Sequence, residues 1–231
     1  MNRIIRTVFL AFALLPFALK AQECDTTLTH VVIETTKGNI EVELFNDTPL
    51  HRDNFLEKVD SHLYDGVLFH RVIPGFMIQA GDSASRSAKP GELLGETKES
   101  KTLPAEFRFP RHFHQSGALC MAREGDEENP KKESSSWQFY IVTGNTFTEA
   151  ALDKQQERLD RETGGSVKFT PGIRQTYLTR GGAPHLDGTY TVFGQVVSGY
   201  DVMDEIQFAE RDANNRPLED IRIVGTHRVG K

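Results

Sequence analysis

Residues 69–82 set an arginine and a glutamine inside an otherwise apolar stretch that a Pro-Gly pair interrupts. Arginine is always charged and offers five donors in a rigid fork, so it seldom stands in an apolar run unless its head group has a specific partner. Side chains alternate along a strand, which predicts that Phe69, Arg71 and Ile73 share one face. The Pro-Gly pair ends this strand and a second one follows. The pattern therefore predicts a strand–turn–strand unit in which Arg71 and Gln79 lie side by side.

Strand patterns dominate the rest of the chain. Residues 31–44 predict a hairpin, because a strand-like segment over residues 31–36 is followed by a Lys-Gly-Asn turn and by residues 40–44, where apolar and acidic residues alternate. Helices are predicted over residues 49–61, where a proline occupies the first turn, and over residues 200–207. A closing strand is expected near residues 221–224. Many antiparallel strands, few helices and frequent turns indicate a mainly β protein with a closed barrel.

Four further blocks accompany the 69–82 run: Gly117–Ala122, Gln138–Ile141, His185–Gly188 and Val192–Gly194. In sequence and in order, the five segments resemble the cyclophilins, the family of peptidyl-prolyl cis-trans isomerases. The resemblance extends from about Val31 to about Val224. It implies an eight-stranded antiparallel barrel capped by two helices, and it assigns an isomerase domain to residues 29–231.

The resemblance implies a catalytic role for two polar residues, Arg71 and Gln79. Rotation about a peptide bond has a barrier of about 18–20 kcal/mol, and X-Pro bonds exchange over tens of seconds or longer. A fixed cationic donor that faces the nitrogen of a twisted amide interacts more strongly with the transition state than with the planar ground states. Arg71 is expected to be this donor. Gln79 is expected to orient the guanidinium and to bind the substrate carbonyl.

The family match also implies a set of substrate-binding residues. An apolar proline pocket is expected from Phe76, Met77, Leu186 and Phe193, with Tyr140 in its wall. Ala122 and Arg123 match the strand end that pairs with the substrate backbone, and Gln138 is expected to line the groove. The set is completed by His70, His185 and Tyr190. Two interpretations of His70 stay open, a structural residue and a hydrogen-bonding residue at the groove edge.

Four positions depart from the usual family residues. Tyr140 replaces a phenylalanine and adds a polar hydroxyl to a packing ring. Arg123 replaces an asparagine, and Tyr190 replaces a histidine at the groove edge. His185 replaces the tryptophan with which many members bind cyclosporin, so weak or no cyclosporin binding is expected.

Residues 145–182 form a longer connection than the family usually has. Thr148 is placed to cap a charged helix that runs to about Glu162, and Thr170 to cap a second one with proline at its first position. Two interpretations stay open for this helical insertion. It is a helical hairpin packed on the edge of the barrel, or it is an appendage beside the groove that binds a partner or restricts substrates.

The N-terminus is typical of a secretory signal peptide over residues 1–21, with two arginines ahead of an apolar segment and Ala21 before the expected cut. Residues 22–28 are expected to be a flexible leader. The protein is therefore expected to be extracytoplasmic, either periplasmic or secreted. A lipoprotein anchor at Cys24 is disfavoured, because Glu23 stands where a small residue is needed.

The composition of the chain limits the classes of molecule that it is expected to bind. The net charge of −6 becomes −9 once the three basic residues of the signal peptide are removed, which excludes a basic footprint for nucleic acid. His112 and His114 have no evident companion ligands, so no metal site is expected, and no cofactor is implied. Proline-containing peptides and unfolded or folding proteins are the expected partners of a monomeric isomerase. The alternative is a chaperone or holdase that binds proline peptides with little turnover.

Overall fold

The computed structural model describes residues 27–230, and eight of its strands form one antiparallel sheet. These strands are β1 (Thr29–Thr35), β2 (Gly38–Leu44), β3 (Arg71–Ile73), β4 (Met77–Ala80), β6 (Ala118–Met121), β8 (Phe139–Val142), β9 (Val192–Ser198) and β10 (Ile223–Arg228). Two shorter strands, β5 (Thr102–Leu103) and β7 (Ser134–Ser135), pair separately. The prediction of a mainly β, antiparallel fold is confirmed. The expected signal peptide, Cys24 and most of the expected leader lie outside the described residues.

The expected closure of the barrel is wrong in detail. The sheet has the order β10-β1-β2-β9-β6-β8-β4-β3, and its two end strands are not paired with each other. The segments beside them meet only through a short contact that includes an isolated bridge between Leu68 and Arg222. The sheet is thus a curled half-barrel. The physical reason is that β3 has only three residues, and the chain before it follows an irregular path.

In the described part of the chain, four α-helices accompany the sheet: α1 (Pro49–Asp60), α2 (Glu149–Thr163), α3 (Pro171–Thr179) and α4 (Tyr200–Gln207). The predicted caps of α2 and α3 are present. The hydroxyl oxygen of Thr148 accepts a hydrogen bond from Ala151 N, and that of Thr170 accepts one from Ile173 N. We refer to residues 145–182, which carry these two helices, as the α2–α3 segment. No helix within residues 27–230 combines the length and the apolar character needed to cross a membrane.

Three groups of apolar side chains are buried. The largest fills the interior of the curled sheet under α1 and α4. A second lies on the groove side and includes Met77, Tyr140 and Leu186. The third holds the α2–α3 segment together around Leu152, Ile173 and Tyr177. Separate cores of this kind leave the second group free to form the wall of a groove.

Phe69 does not share a face with Arg71, contrary to the expected alternation. Its side chain is buried in the interior core together with Val72, whereas Ile73 packs on the groove side. The strand begins only at Arg71, so the alternation does not extend back to Phe69.

Candidate active site

The centre of the groove is a polar pair on two adjacent strands. Arg71 on β3 lies directly opposite Gln79 on β4, as the sequence predicted. Arg71 Nη1 donates a hydrogen bond to Gln79 Oε1 over 3.2 Å. Gln79 Nε2 then donates to Gln138 Oε1 over 3.0 Å, and Gln138 Nε2 donates to the carbonyl of Gly95 over 3.0 Å. This series of bonds fixes the amide of Gln79 and leaves the exposed guanidinium of Arg71 with free donors toward the groove.

Beside this pair is a groove of about 250 Å³. Ten of the residues that the sequence pointed to line it: His70, Arg71, Phe76, Met77, Gln79, Ala122, Arg123, Tyr140, Leu186 and Tyr190. Its apolar wall belongs to the groove-side core, where Met77, Tyr140 and Leu186 are less than a tenth exposed and Phe76 packs against them. A wall of this kind presents a rigid surface to a small apolar ring.

Arg123 covers the opposite edge of the groove. Its guanidinium lies 4.2 Å from the centre of the Tyr190 ring, a cation–π arrangement. Arg123 Nε also donates to the carbonyl of Thr189 over 2.9 Å, and Nη1 pairs with Asp126 over 2.7 Å. Nη1 also donates to the carbonyl of Glu124 over 2.8 Å, so four neighbours hold Arg123, and Asp126 partly balances its charge.

Three of the expected substrate-binding residues do not line the groove. Phe193 is fully buried and packs in the interior core, with its ring 5.4 Å from that of Phe55. Gln138 is buried and contacts the groove only through Gln79 and the chain at Gly95. His185 lies beside the groove, where its ring centre is 5.2 Å from that of Phe76.

His70 forms part of the groove lining and is only 3% exposed. Burial lowers its pKa to about 4, which keeps the ring neutral at physiological pH. A Cβ atom added at Gly95 would approach His70 Nε2 to 3.1 Å, so the loop above packs closely on the imidazole. Burial also lowers the pKa of His185 to about 4.

Sequence reasoning missed one side of the groove, formed by Leu94, Gly95 and Glu96. They belong to a stretch rich in serine, lysine, glycine and glutamate that shows no strand or helix periodicity. The buried carboxylate of Asp82 holds this loop, because it accepts hydrogen bonds from Gly95 N over 2.8 Å and from Thr97 Oγ1 over 2.9 Å. No local pattern could have placed the loop, since its anchors are distant in sequence.

The two histidines considered as metal ligands have separate carboxylate partners. His112 Nε2 lies 2.7 Å from Asp47, and His114 Nδ1 lies 2.9 Å from Asp187. Within residues 27–230, no group of three or more histidine, cysteine or acidic residues is placed to hold a metal ion.

Comparison with known proteins gives relatives over most of the chain. The sequence model described as "Cyclophilin type peptidyl-prolyl cis-trans isomerase/CLD" matches residues 30–228. A predicted peptidyl-prolyl cis-trans isomerase of Staphylococcus saprophyticus is 32% identical over 195 residues, which cover 84% of this chain and 88% of that protein. A predicted bifunctional phosphatase/peptidyl-prolyl cis-trans isomerase of Streptococcus pyogenes is 35% identical over 196 residues. That match covers 84% of this chain but only 37% of the streptococcal protein.

Among solved structures, a Cryptosporidium parvum cyclophilin-type peptidyl-prolyl cis-trans isomerase has a similar fold. The TM-score is 0.62 at 22% sequence identity, and the match covers 89% of this chain and 99% of the other. A second structure of the same protein, determined in the presence of the dipeptide Ala-Pro, gives a TM-score of 0.60 and covers 87% and 99% of the two chains. On the evidence of the fold, the groove and the extent of the family match, the chain belongs to the cyclophilin-type peptidyl-prolyl cis-trans isomerase family.

Proposed function

We propose that this protein accelerates the cis-trans rotation of X-Pro bonds in peptides and folding proteins, and that Arg71 stabilises the twisted amide. The observation that carries the proposal is the Arg71–Gln79 pair beside a groove with one apolar wall. No covalent bond is made or broken in this reaction. The protein needs only to hold the proline ring and to interact more strongly with the twisted state than with the planar states.

The proline ring would occupy the apolar part of the groove between Phe76, Met77 and Leu186, with the Tyr140 ring as its back wall. The volume of about 250 Å³ accommodates a proline ring with part of the neighbouring backbone. The C. parvum relative, whose structure was determined in the presence of Ala-Pro, supports a proline-containing ligand here. Ala122 follows the last residue of β6 and lines the groove, while its own backbone N–H and C=O are bonded to Gln138 and Ser135.

Arg71 would act on the amide nitrogen. Twisting removes the conjugation of the nitrogen lone pair with the carbonyl, so the nitrogen becomes an acceptor only near the transition state. Gln79 would hold the guanidinium through its 3.2 Å hydrogen bond and keep the remaining donors directed at the substrate. A donor held in advance needs no reorganisation during the reaction, which is the property expected of electrostatic catalysis.

The test is the exchange rate of an X-Pro peptide by NMR, with wild type and Arg71→Ala side by side. We expect the wild type to accelerate exchange and the variant to lose about 100- to 1,000-fold in rate, the range for removal of a key transition-state donor. Exchange that is unchanged in Arg71→Ala would overturn the assignment of Arg71. Peptide binding without exchange in either protein would instead identify a proline-binding holdase.

Two finer points belong to the same proposal. Cyclosporin binding would be weak, because His185 offers a smaller ring than the tryptophan of many relatives; tight binding in a direct titration would contradict this. The protein would act outside the cytoplasm as a monomer, and the support for the location is the basic and apolar pattern of residues 1–21. N-terminal sequencing of the mature protein would test the cut after Ala21.

A further inference from the structure

Below the groove, four buried side chains are joined by hydrogen bonds into what we call the buried polar chain: Tyr140, His114, Asp187 and Tyr177. His114 Nε2 lies 3.1 Å from the Tyr140 hydroxyl, and His114 Nδ1 lies 2.9 Å from Asp187 Oδ1. The other carboxylate oxygen of Asp187 accepts the Tyr177 hydroxyl over 2.7 Å. All four residues are at most 4% exposed, so water does not compete for these bonds.

The bonds converge on Asp187. A carboxylate only accepts, so both the Nδ1–H of His114 and the hydroxyl of Tyr177 donate to Asp187. With the proton on Nδ1, Nε2 of His114 is the acceptor of the hydrogen bond from the Tyr140 hydroxyl. Burial raises the pKa of Tyr140 well above its usual value, which keeps this hydroxyl protonated and able to donate. Asp187 also accepts the backbone N–H of His114 over 2.9 Å, which fixes the histidine in place.

The two ends of the buried polar chain lie in different cores. Tyr140 is on β8, belongs to the groove-side core and lines the groove. Tyr177 is on α3, and its ring packs against three phenylalanines of the third core at centre-to-centre distances of 5.5 to 6.1 Å. Only its hydroxyl leaves that core to reach Asp187. The α2–α3 segment is therefore bonded to the back of the groove.

We propose that the buried polar chain positions the Tyr140 ring as the back wall of the proline pocket, which makes Tyr177 a positioning residue for substrate binding. This inference rests on the proposed function, since it assumes that the proline ring lies against Tyr140. The tyrosine hydroxyl, absent from the phenylalanine usual in the family, is what links the wall to the segment behind it. This inference adds a third interpretation of residues 145–182 to the two given above: the segment supports the pocket from behind.

Tyr177→Phe tests the proposal because it removes one hydroxyl and keeps the ring. We expect the Kd of a proline peptide, measured by NMR titration, to rise about 2- to 10-fold, the effect of losing one hydrogen bond. The maximal exchange rate should stay within about twofold, because Arg71 is untouched and substrate and transition state lose the same contact. The matched control is Tyr200→Phe. Tyr200 lies on α4, away from the groove, and its hydroxyl donates a hydrogen bond to Val196 O over 2.8 Å. This change should leave Kd unchanged.

A double-mutant cycle with Tyr140→Phe separates positioning from general stability. If the buried polar chain acts as a unit, cutting it at either end or at both ends gives nearly the same rise in Kd. The proposal would be overturned if the increases in Kd of the two single variants simply add in the double variant. It would also be overturned if Tyr177→Phe lowers Tm but keeps the wild-type Kd. Should Tyr177→Phe fail to fold, Tyr140→Phe cuts the other end, and a wild-type Kd there has the same meaning.

The readouts also separate this inference from the proposed function. The peptide Kd can be measured without any exchange of the X-Pro bond. A wild-type protein that binds the peptide but does not accelerate its exchange would therefore contradict the proposed isomerase activity, and the double-mutant cycle in Kd would still test the positioning role. Full exchange activity with wild-type Kd in both variants contradicts the positioning alone. A wild-type protein that neither binds nor exchanges the peptide overturns both.

Discussion

His51 and His114 are both fully buried, and each has a carboxylate at one ring nitrogen and a hydroxyl at the other. His51 Nδ1 lies 2.7 Å from Glu106 and its Nε2 lies 2.9 Å from the Ser134 hydroxyl. His114 has Asp187 and Tyr140 in the same positions. The hydrogen-bond pattern is the same, and the surroundings are different. Tyr140 lines the groove, whereas Ser134 is 1% exposed.

The difference teaches that access, and not the pattern of partners, decides what such a histidine can do. A serine, a histidine and a carboxylate in series are the elements of a nucleophilic triad, but a nucleophile needs a site where substrate can reach it. Around His51, Glu106 instead accepts the backbone N–H groups of Leu50 and His51 at the start of α1. The α1 side of the molecule is thus built for stability and the groove side for binding.

The largest effect should come from Arg71→Lys on the groove side. Lysine keeps the charge but not the planar fork, so it cannot bind Gln79 and reach the substrate at once. We expect the maximal exchange rate to fall about 100-fold, with an unchanged free energy of unfolding because the side chain is exposed. Exchange spectroscopy and urea unfolding measure the two quantities. Arg52→Lys on α1 is the matched control, and equal rates for both variants would remove the distinction between the two sides.

Glu106→Ala should have the opposite signature. It leaves His51 and two backbone donors at the start of α1 without their acceptor, which we expect to lower the free energy of unfolding by about 2–3 kcal/mol. Exchange activity per folded molecule should be unchanged. Glu57→Ala, an exposed change on the same helix, is the control for loss of a charge. A loss of maximal rate comparable to that of Arg71→Lys would show that α1 belongs to the catalytic machinery.

Lowering the pH should decrease the free energy of unfolding, through buried histidines on both the α1 side and the groove side. Burial depresses the pKa of His70 to about 4 and also lowers that of His51, so between pH 6.5 and 5 the unfolded state binds more protons than the folded state. Stability is therefore lost as the pH falls, by about 1.5 kcal/mol for His70 alone over this interval. Urea unfolding of wild type and His70→Gln from pH 7 to pH 5 tests this. A slope that is identical in the two proteins would contradict the contribution of His70.

The smallest effect should come from Gly95→Ala in the loop over the groove. The added Cβ would lie 3.1 Å from His70 Nε2, so the loop must shift by a few tenths of an ångström. We expect peptide Kd to rise roughly 3-fold, or about 0.7 kcal/mol. Gly91→Ala is the control, because Gly91 also has a positive φ but has no atom within 4 Å of the added Cβ. Equal effects of the two changes would mean that backbone strain, and not the contact with His70, is responsible.

The parts of the site that are formed by residues close together in the sequence could be predicted from the sequence. The register of Arg71 and Gln79 follows from two short strands and one turn, which are all local. Phe193 shows where this reasoning ends. Alternation along β9 sends Val192 and Phe193 to different sides, but it does not say which side is the groove, and Val192 is the one in the groove-side core.

Long-range anchors explain the remaining misses. Leu94, Gly95 and Glu96 reach the groove because Asp82 and Gln138 bind the loop at Gly95, and no periodic pattern encodes such bonds. The contact of Tyr177 with Asp187 is hidden for the same reason, since it joins a helix to a turn. The family resemblance predicted the number of strands. It did not predict that the two end strands of the sheet stay unpaired with each other, which depends on the short length of β3.

The unpaired end strands of the sheet have a consequence for solubility. Unpaired strand edges attract other extended chains and promote aggregation, and a protein proposed to handle unfolded clients meets such chains constantly. Here the chain itself bonds part of both end strands. The Val72 N–H on β3 already donates to Asn215 O over 2.8 Å, and Ile223 at the start of β10 exchanges backbone hydrogen bonds with Gly66 and Val67. These hydrogen bonds leave fewer free backbone groups on the end strands to which an extended chain could add as an extra strand.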